Sequence, residues 1–205
     1  MKTHAAMMGI AASALLVTGA VAQTAPAQDT SYFDGFHVGA GVENRNTSVK
    51  SGIGGLDGRI SADTNAPVAS LSAGYDKVVD GQWLVGGEVA EGMGGRTIHT
   101  TGTNGTYSVK AGNDTVVSAR AGYLVSPKTV LFGRVGYQWQ DASKSATLTD
   151  GTQTNVDKDS HGALVGVGVE QAVDSHFGIR GELQSANLDH GLRDDTIKAS
   201  AHYKF

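Results

Sequence analysis

Ser200, His202 and Glu182 are a hydroxyl, an imidazole and a carboxylate at short spacing, the three types from which a nucleophile, its general base and an orienting acid can be assembled. Ser200 and His202 are two residues apart, so on a strand they share one face, and Glu182 falls in the alternating segment before them. A larger set has the same parity: Glu43, Arg45, Glu88, Arg120, Arg134, Glu170, Arg180, Glu182, Lys198 and Lys204, joined by Gln138, Gln184 and Ser200. Its acids and bases are mixed. That is the pattern of ion pairs across a confined space, and it accounts for the Ser, His and Glu without chemistry. The seven His are scattered without ligand spacing, and Asp157-Lys158-Asp159 lacks the Gly and terminal Glu of a calcium loop. With no Cys, thiolate metal sites and disulfides are excluded. The expectation is no catalytic residue, no metal and no cofactor.

The elements that must position these residues have period two. The last ten residues alternate without fault, with Ile197, Ala199, Ala201, Tyr203 and Phe205 on one side and Lys198, Ser200, His202 and Lys204 on the other. Eight such segments are expected, near 36–45, 67–76, 83–91, 116–124, 129–140, 161–171, 176–185 and 196–205. Each has the length of a tilted strand crossing a bilayer. The links alternate short and long: 77–82, 125–128 and 172–175 against 46–66, 92–115, 141–160 and 186–195. Transmembrane barrels have this asymmetry, with short periplasmic turns, long extracellular loops and both ends of the chain inside.

Aromatic residues sort by the same scheme. Phe36, Tyr75, Trp83, Tyr123, Phe177, Tyr203 and Phe205 fall at the periplasmic strand ends with outward parity, and Tyr137 and Trp139 fall at the extracellular end. Such belts place amphipathic rings at the headgroups. Ala73-Gly74-Tyr75, Ala121-Gly122-Tyr123 and Val135-Gly136-Tyr137 repeat one unit, Gly inward and Tyr outward.

Lys2, the apolar stretch from Ala5 to Ala20 and the small residues Ala20 and Ala22 read as a secretory signal peptide over 1–22, cut after Ala22. A short periplasmic segment, 23–34, then leads into a barrel over 35–205. The net charge of −4 does not suit a nucleic-acid partner. The 29 Gly and 3 Pro suit many closely approaching strands, and no second long apolar run exists for a membrane helix.

Phe33-Asp34-Gly35-Phe36-His37-Val38-Gly39, Leu131-Phe132-Gly133-Arg134-Val135-Gly136-Tyr137-Gln138 and Tyr203-Lys204-Phe205 resemble the porin-family, opacity-protein-like outer-membrane β-barrels of Gram-negative bacteria, alphaproteobacterial surface antigens above all. The resemblance implies an all-β, eight-stranded antiparallel up-and-down transmembrane barrel in the cell outer membrane. It also implies that Tyr203 and Phe205 are the signal read by the outer-membrane assembly machinery, to which periplasmic chaperones deliver the chain. The surrounding partners are outer-membrane lipid and lipopolysaccharide. A monomer is expected, with a structural envelope role and a lumen plugged by charge. The alternatives are adhesion to a host, phage or matrix ligand through the loops, a small porin-type channel and, last, a lipid-modifying barrel enzyme.

Overall fold

The computed structural model describes residues 31–51, 60–94, 96–102, 105–148, 151–157, 159–189 and 192–205. The expected signal segment and its cleavage residues Ala20 and Ala22 lie outside them. Among the described residues the chain forms a short 3-10 turn, Ser31–Phe33, and ten strands: β1 Gly35–Ser51, β2 Ile60–Val79, β3 Trp83–Met93, β4 Arg96–Gly102, β5 Gly105–Ser126, β6 Thr129–Leu148, β7 Gln153–Asp157, β8 Ser160–Ala172, β9 Phe177–Leu188 and β10 Leu192–Lys204.

Eight of these close a ring in the order β1, β2, β3, β5, β6, β8, β9, β10, every neighbour antiparallel. The last pairing joins β10 back to β1, from His37 opposite Lys204 to Val49 opposite Leu192. No edge remains along the wall. The remaining two strands, β4 and β7, pair only with the far parts of β5 and β6 and extend those hairpins beyond the wall.

The expected strands are therefore present but shorter than the observed ones. Much of 46–66, 92–115 and 141–160, expected as loop, continues as strand, for example Lys50 opposite Ser61 and Tyr107 opposite Ala146. These stretches are rich in Thr, which favours extended backbone, but Gly, Asn, Asp and Ser are interspersed with it and read as loop. A bulge between Ala111 and Asp114 marks where β5 leaves the wall for its projecting part.

Short turns join the strands at the opposite end. Asp80 and Gly81 both have positive φ, 49° and 67°, the backbone of the two-residue hairpin turn for which Asp-Gly is the preferred pair. Asp174 caps the β8–β9 turn by accepting the backbone N–H groups of His176 and Phe177, both at 2.8 Å.

Inside and outside exchange the usual roles. Exposed large apolar side chains, Val42, Leu71, Val85, Leu131, Val135, Val167, Leu183 and Ile197 among them, cover the outer wall, while most of the buried polar and charged residues face inward. At the short-turn end, Tyr32 and Phe33 fold into the ring mouth and pack with Leu84, Leu124, Val130, Phe132 and Ala172. The short segment expected over 23–34 thus carries an apolar stopper at Tyr32 and Phe33. At the other end a smaller apolar group, Ala90, Val116, Leu164, Ala186, Leu188 and Leu192, fills the ring between polar side chains.

Candidate functional site

The lumen carries two tiers of charge. The tier nearer the short turns is built around Glu170, which is 0% exposed. Its Oε2 accepts from Arg120 Nη1 at 2.7 Å and from Arg180 Nε at 2.9 Å, with Arg180 Nη2 in ion-pair contact at 2.8 Å, and its Oε1 accepts from the Tyr32 hydroxyl at 3.0 Å. Asp76, on β2, accepts from Arg120 Nε at 2.8 Å and also from Arg120 Nη2 and Lys204 Nζ. Glu88 takes Arg134 Nη1 at 2.8 Å and Arg180 Nη1 at 2.6 Å, while Glu182 takes Arg134 Nε at 2.8 Å. Four carboxylates thus meet three guanidiniums and one ammonium. The arginine forks bridge successive carboxylates, so no charge of this tier is left dry and unpaired.

Phe132 stands inside this tier. The guanidinium carbons of Arg120, Arg180 and Arg134 lie 5.1, 5.6 and 6.0 Å from its ring centroid, within cation–π range. The ring needs a glycine opposite: a Cβ on Gly168 would lie 2.5 Å from Phe132 Cζ. Gly86 serves Asp76 in the same way, since a Cβ there would lie 2.0 Å from Asp76 Oδ1.

The second tier sits toward the long hairpins. Arg45 Nη1 donates to Asp114 Oδ1 at 2.6 Å, its Nη2 donates to Asp114 Oδ2 at 3.0 Å and to Glu43 Oε2 at 2.8 Å, and Asp194 Oδ2 lies 3.8 Å away. Lys198 Nζ is 2.9 Å from Glu43 Oε1, and Gln138 Nε2 and the Thr47 hydroxyl donate to Asp194.

All nine residues expected for the charge network, Glu43, Arg45, Glu88, Arg120, Arg134, Glu170, Arg180, Glu182 and Lys198, are buried in these two tiers. Sequence reading missed Asp76, Asp114 and Asp194, each of which completes an arginine or lysine pair. The signal was there for all three, because Asp76 has the inward parity of Gly74 within the expected strand 67–76, and Asp114 and Asp194 continue the inward parity of β5 and β10 past the expected strand ends. The expected belt residues lie on the outer wall in touching pairs, with ring centroids 4.8 Å apart for Phe36 and Tyr75, 5.1 Å for Trp83 and Tyr123, 5.0 Å for Phe177 and Tyr203 and 4.9 Å for Tyr137 and Trp139. Phe205 joins Tyr203 at 5.1 Å.

The Ser200, His202 and Glu182 set does not assemble. Ser200 Oγ is 2.9 Å from His202 Nε2, but His202 Nδ1 has no hydrogen-bond partner and Glu182 is held by Arg134. The imidazole therefore lacks the acid that would orient it. The histidines, scattered along the chain, are not all scattered in space: His37 and His202 come together across β1 and β10, with ring centroids 5.6 Å apart. Spacing in sequence cannot show a pairing made by closing the ring.

Solved structures share this architecture. The attachment invasion locus protein Ail of Yersinia pestis, solved alone and in complex with the heparin analogue sucrose octasulfate, superposes with a TM-score of 0.56 at 17% identity, over 84% of this chain and 99% of Ail. Neisserial surface protein A gives a TM-score of 0.48 at 17% identity, over 83% of this chain and 97% of that one. At such identities the likeness is one of fold. No curated protein matches the sequence. A family model, the outer membrane protein beta-barrel domain, matches residues 12–205. With nearly the whole chain matched and an eight-stranded ring closed around a polar interior, the protein belongs to the outer-membrane β-barrel family.

Proposed function

We propose that this outer-membrane barrel has a structural role in the envelope, with a lumen sealed by its own side chains and both ends of the barrel strand array on the periplasmic side. The observation that carries this reading is that Arg45, Arg120, Arg134, Arg180, Lys198 and Lys204 are each buried against carboxylates within the ring. An eight-stranded ring is just wide enough for side chains to fill. A cavity against the second tier, lined by Glu43, Arg45, Arg134, Gln138 and Lys198 among others, is about 10 Å³, the room of roughly one water. Ions would have to break several buried pairs to pass. No catalytic step is assigned, since the Ser200–His202 pair has no orienting acid and opens onto neither the lipid face nor a substrate-sized space.

Planar bilayers test the seal. The purified protein is expected to give no steady conductance, and a strain lacking it is expected to leak detergent. Reproducible large openings would establish a small porin-type channel instead.

A second reading has its own observation: the extended β4, β5, β6 and β7 hairpins project Thr, Ser and Asn beyond the wall, as a surface for recognition. Ail, which shares the fold, was solved with a heparin analogue. If the loops carry function here, replacing 46–66 and 92–115 abolishes attachment to a host or matrix surface while the envelope stays tight. We also propose that residues 1–22 are removed after Ala22. The intact mass of the protein from outer membranes would show this directly.

A further inference from the structure

His37 on β1 and His202 on β10 are each 1% exposed, and Glu88 on β3 is 4% exposed. One donor atom from each of the three lies within 4.8 Å of the other two. Their surroundings are specific. His37 Nε2 lies 3.2 Å from Asp76 Oδ2, which leaves Nδ1 facing Glu88 Oε2 at 3.9 Å. His202 Nε2 lies 2.9 Å from Ser200 Oγ, which leaves its Nδ1 with no hydrogen-bond partner, and neither ring nitrogen of His37 has one, its Nε2 meeting Asp76 as a charge contact only.

The Asp76 carboxylate, which only accepts, favours the proton on His37 Nε2, and the Ser200 hydroxyl, which donates or accepts, permits it on His202 Nε2, so each Nδ1 can offer a lone pair. A donor nitrogen of each imidazole and a Glu88 oxygen then lie within one buried group, small enough to close on an ion. That is the arrangement of metal-binding imidazoles whose outer nitrogen is fixed by a carboxylate or hydroxyl. The wall yields where the rings lie: a Cβ on Gly39 would be 2.5 Å from His202 Nδ1, and one on Gly74 would be 2.7 Å from His37 Nε2.

We propose that His37 Nδ1, His202 Nδ1 and Glu88 bind a divalent transition-metal ion inside the barrel, with Asp76 and Ser200 positioning the two imidazoles. Two nitrogens and one oxygen suit zinc, with a fourth position open, and do not suit calcium or magnesium, which take oxygen donors. Zinc holds its ligands at about 2.0–2.2 Å, so the three donors would draw together by about 1 Å. Glu88 Oε2 would pass from Arg180 to the metal. Arg180 keeps Glu170 at 2.8 Å, and Glu88 Oε1 keeps Arg134. Since the lumen is closed at both ends by side chains, the ion enters during folding.

The test is refolding of the full-length mature protein from urea into detergent with zinc chloride or with EDTA, followed by desalting and metal analysis. One zinc per barrel is expected, with a raised urea midpoint over the EDTA sample. His37→Gln and His202→Gln should each abolish stoichiometric retention, and Ser200→Ala should weaken binding by about 10–100-fold. Replacing the exposed His161 and His176 should change nothing. Cobalt in place of zinc should give visible d–d bands in the wild-type protein, a readout that stands even if a histidine variant fails to fold. Absence of stoichiometric zinc and of cobalt bands, or retention unchanged by the double histidine substitution, would overturn the proposal and leave the two imidazoles as ring filling with trapped water.

Discussion

Glu170 has the most to lose from substitution. It accepts from Arg120, Arg180 and Tyr32 with no exposure to water, so Glu170→Ala leaves two guanidiniums facing each other in a dry lumen. A loss of about 3–5 kcal/mol is expected in urea unfolding, because the cost is set by the charges abandoned. Tyr32→Phe removes one hydrogen bond to a charged group and should cost about 1.5–3 kcal/mol. If Glu170→Ala costs no more than Tyr32→Phe, the pairing account fails. Glu170 was legible from parity alone, because an acid on the inward row of a strand has nowhere else to go. Phe33, Tyr32 and Phe132 were not, since inward aromatics look like any others until the ring around them is closed.

Strands were legible where alternation runs unbroken through the wall, and ceased to be so where Gly, Asn and Asp interrupt it, as Gly112-Asn113-Asp114 does in β5. That interruption coincides with the bulge between Ala111 and Asp114, where β5 leaves the wall. Val167 lies outward near the middle of β8, between the ring ends marked by His161 and Gln171. Val167→Arg should destabilise the inserted barrel by about 2–4 kcal/mol, as a guanidinium at the bilayer midplane does. Lipid-dependent unfolding measurements would show it, and an effect near zero would displace Val167 from the apolar band. The turn between β8 and β9 gives a pH prediction. The backbone N–H groups of His176 and then Phe177 hold the exposed Asp174 carboxyl below its ordinary range. A depressed native value means that the turn's contribution is complete above the ordinary Asp value of about 3.9 and is lost as the pH falls through the lower native one. NMR titration should find the Asp174 midpoint below 3.9, with the His176 and Phe177 amides shifting together with it. A midpoint at or above the ordinary value would remove the cap.

The whole molecule reverses a soluble protein: its large apolar side chains are outside and its charges are inside. Most of this was legible from alternation, link length and aromatic placement. What needed three dimensions was the joining of remote residues, such as Asp76 with Lys204 and His37 with His202, which only ring closure brings together. Closure also governs when this structure can exist. The ladder between β1 and β10 joins His37 to Lys204, almost the full span of the barrel sequence. A contact of that separation rewards the chain only after its loop entropy has been spent, so folding is slow and comes late. Until β10 arrives, β1 is an open edge beside apolar strands, the species most exposed to aggregation. The barrel cannot mature strand by strand as it is made. Its first strand must be kept waiting, unpaired on one side, for its last.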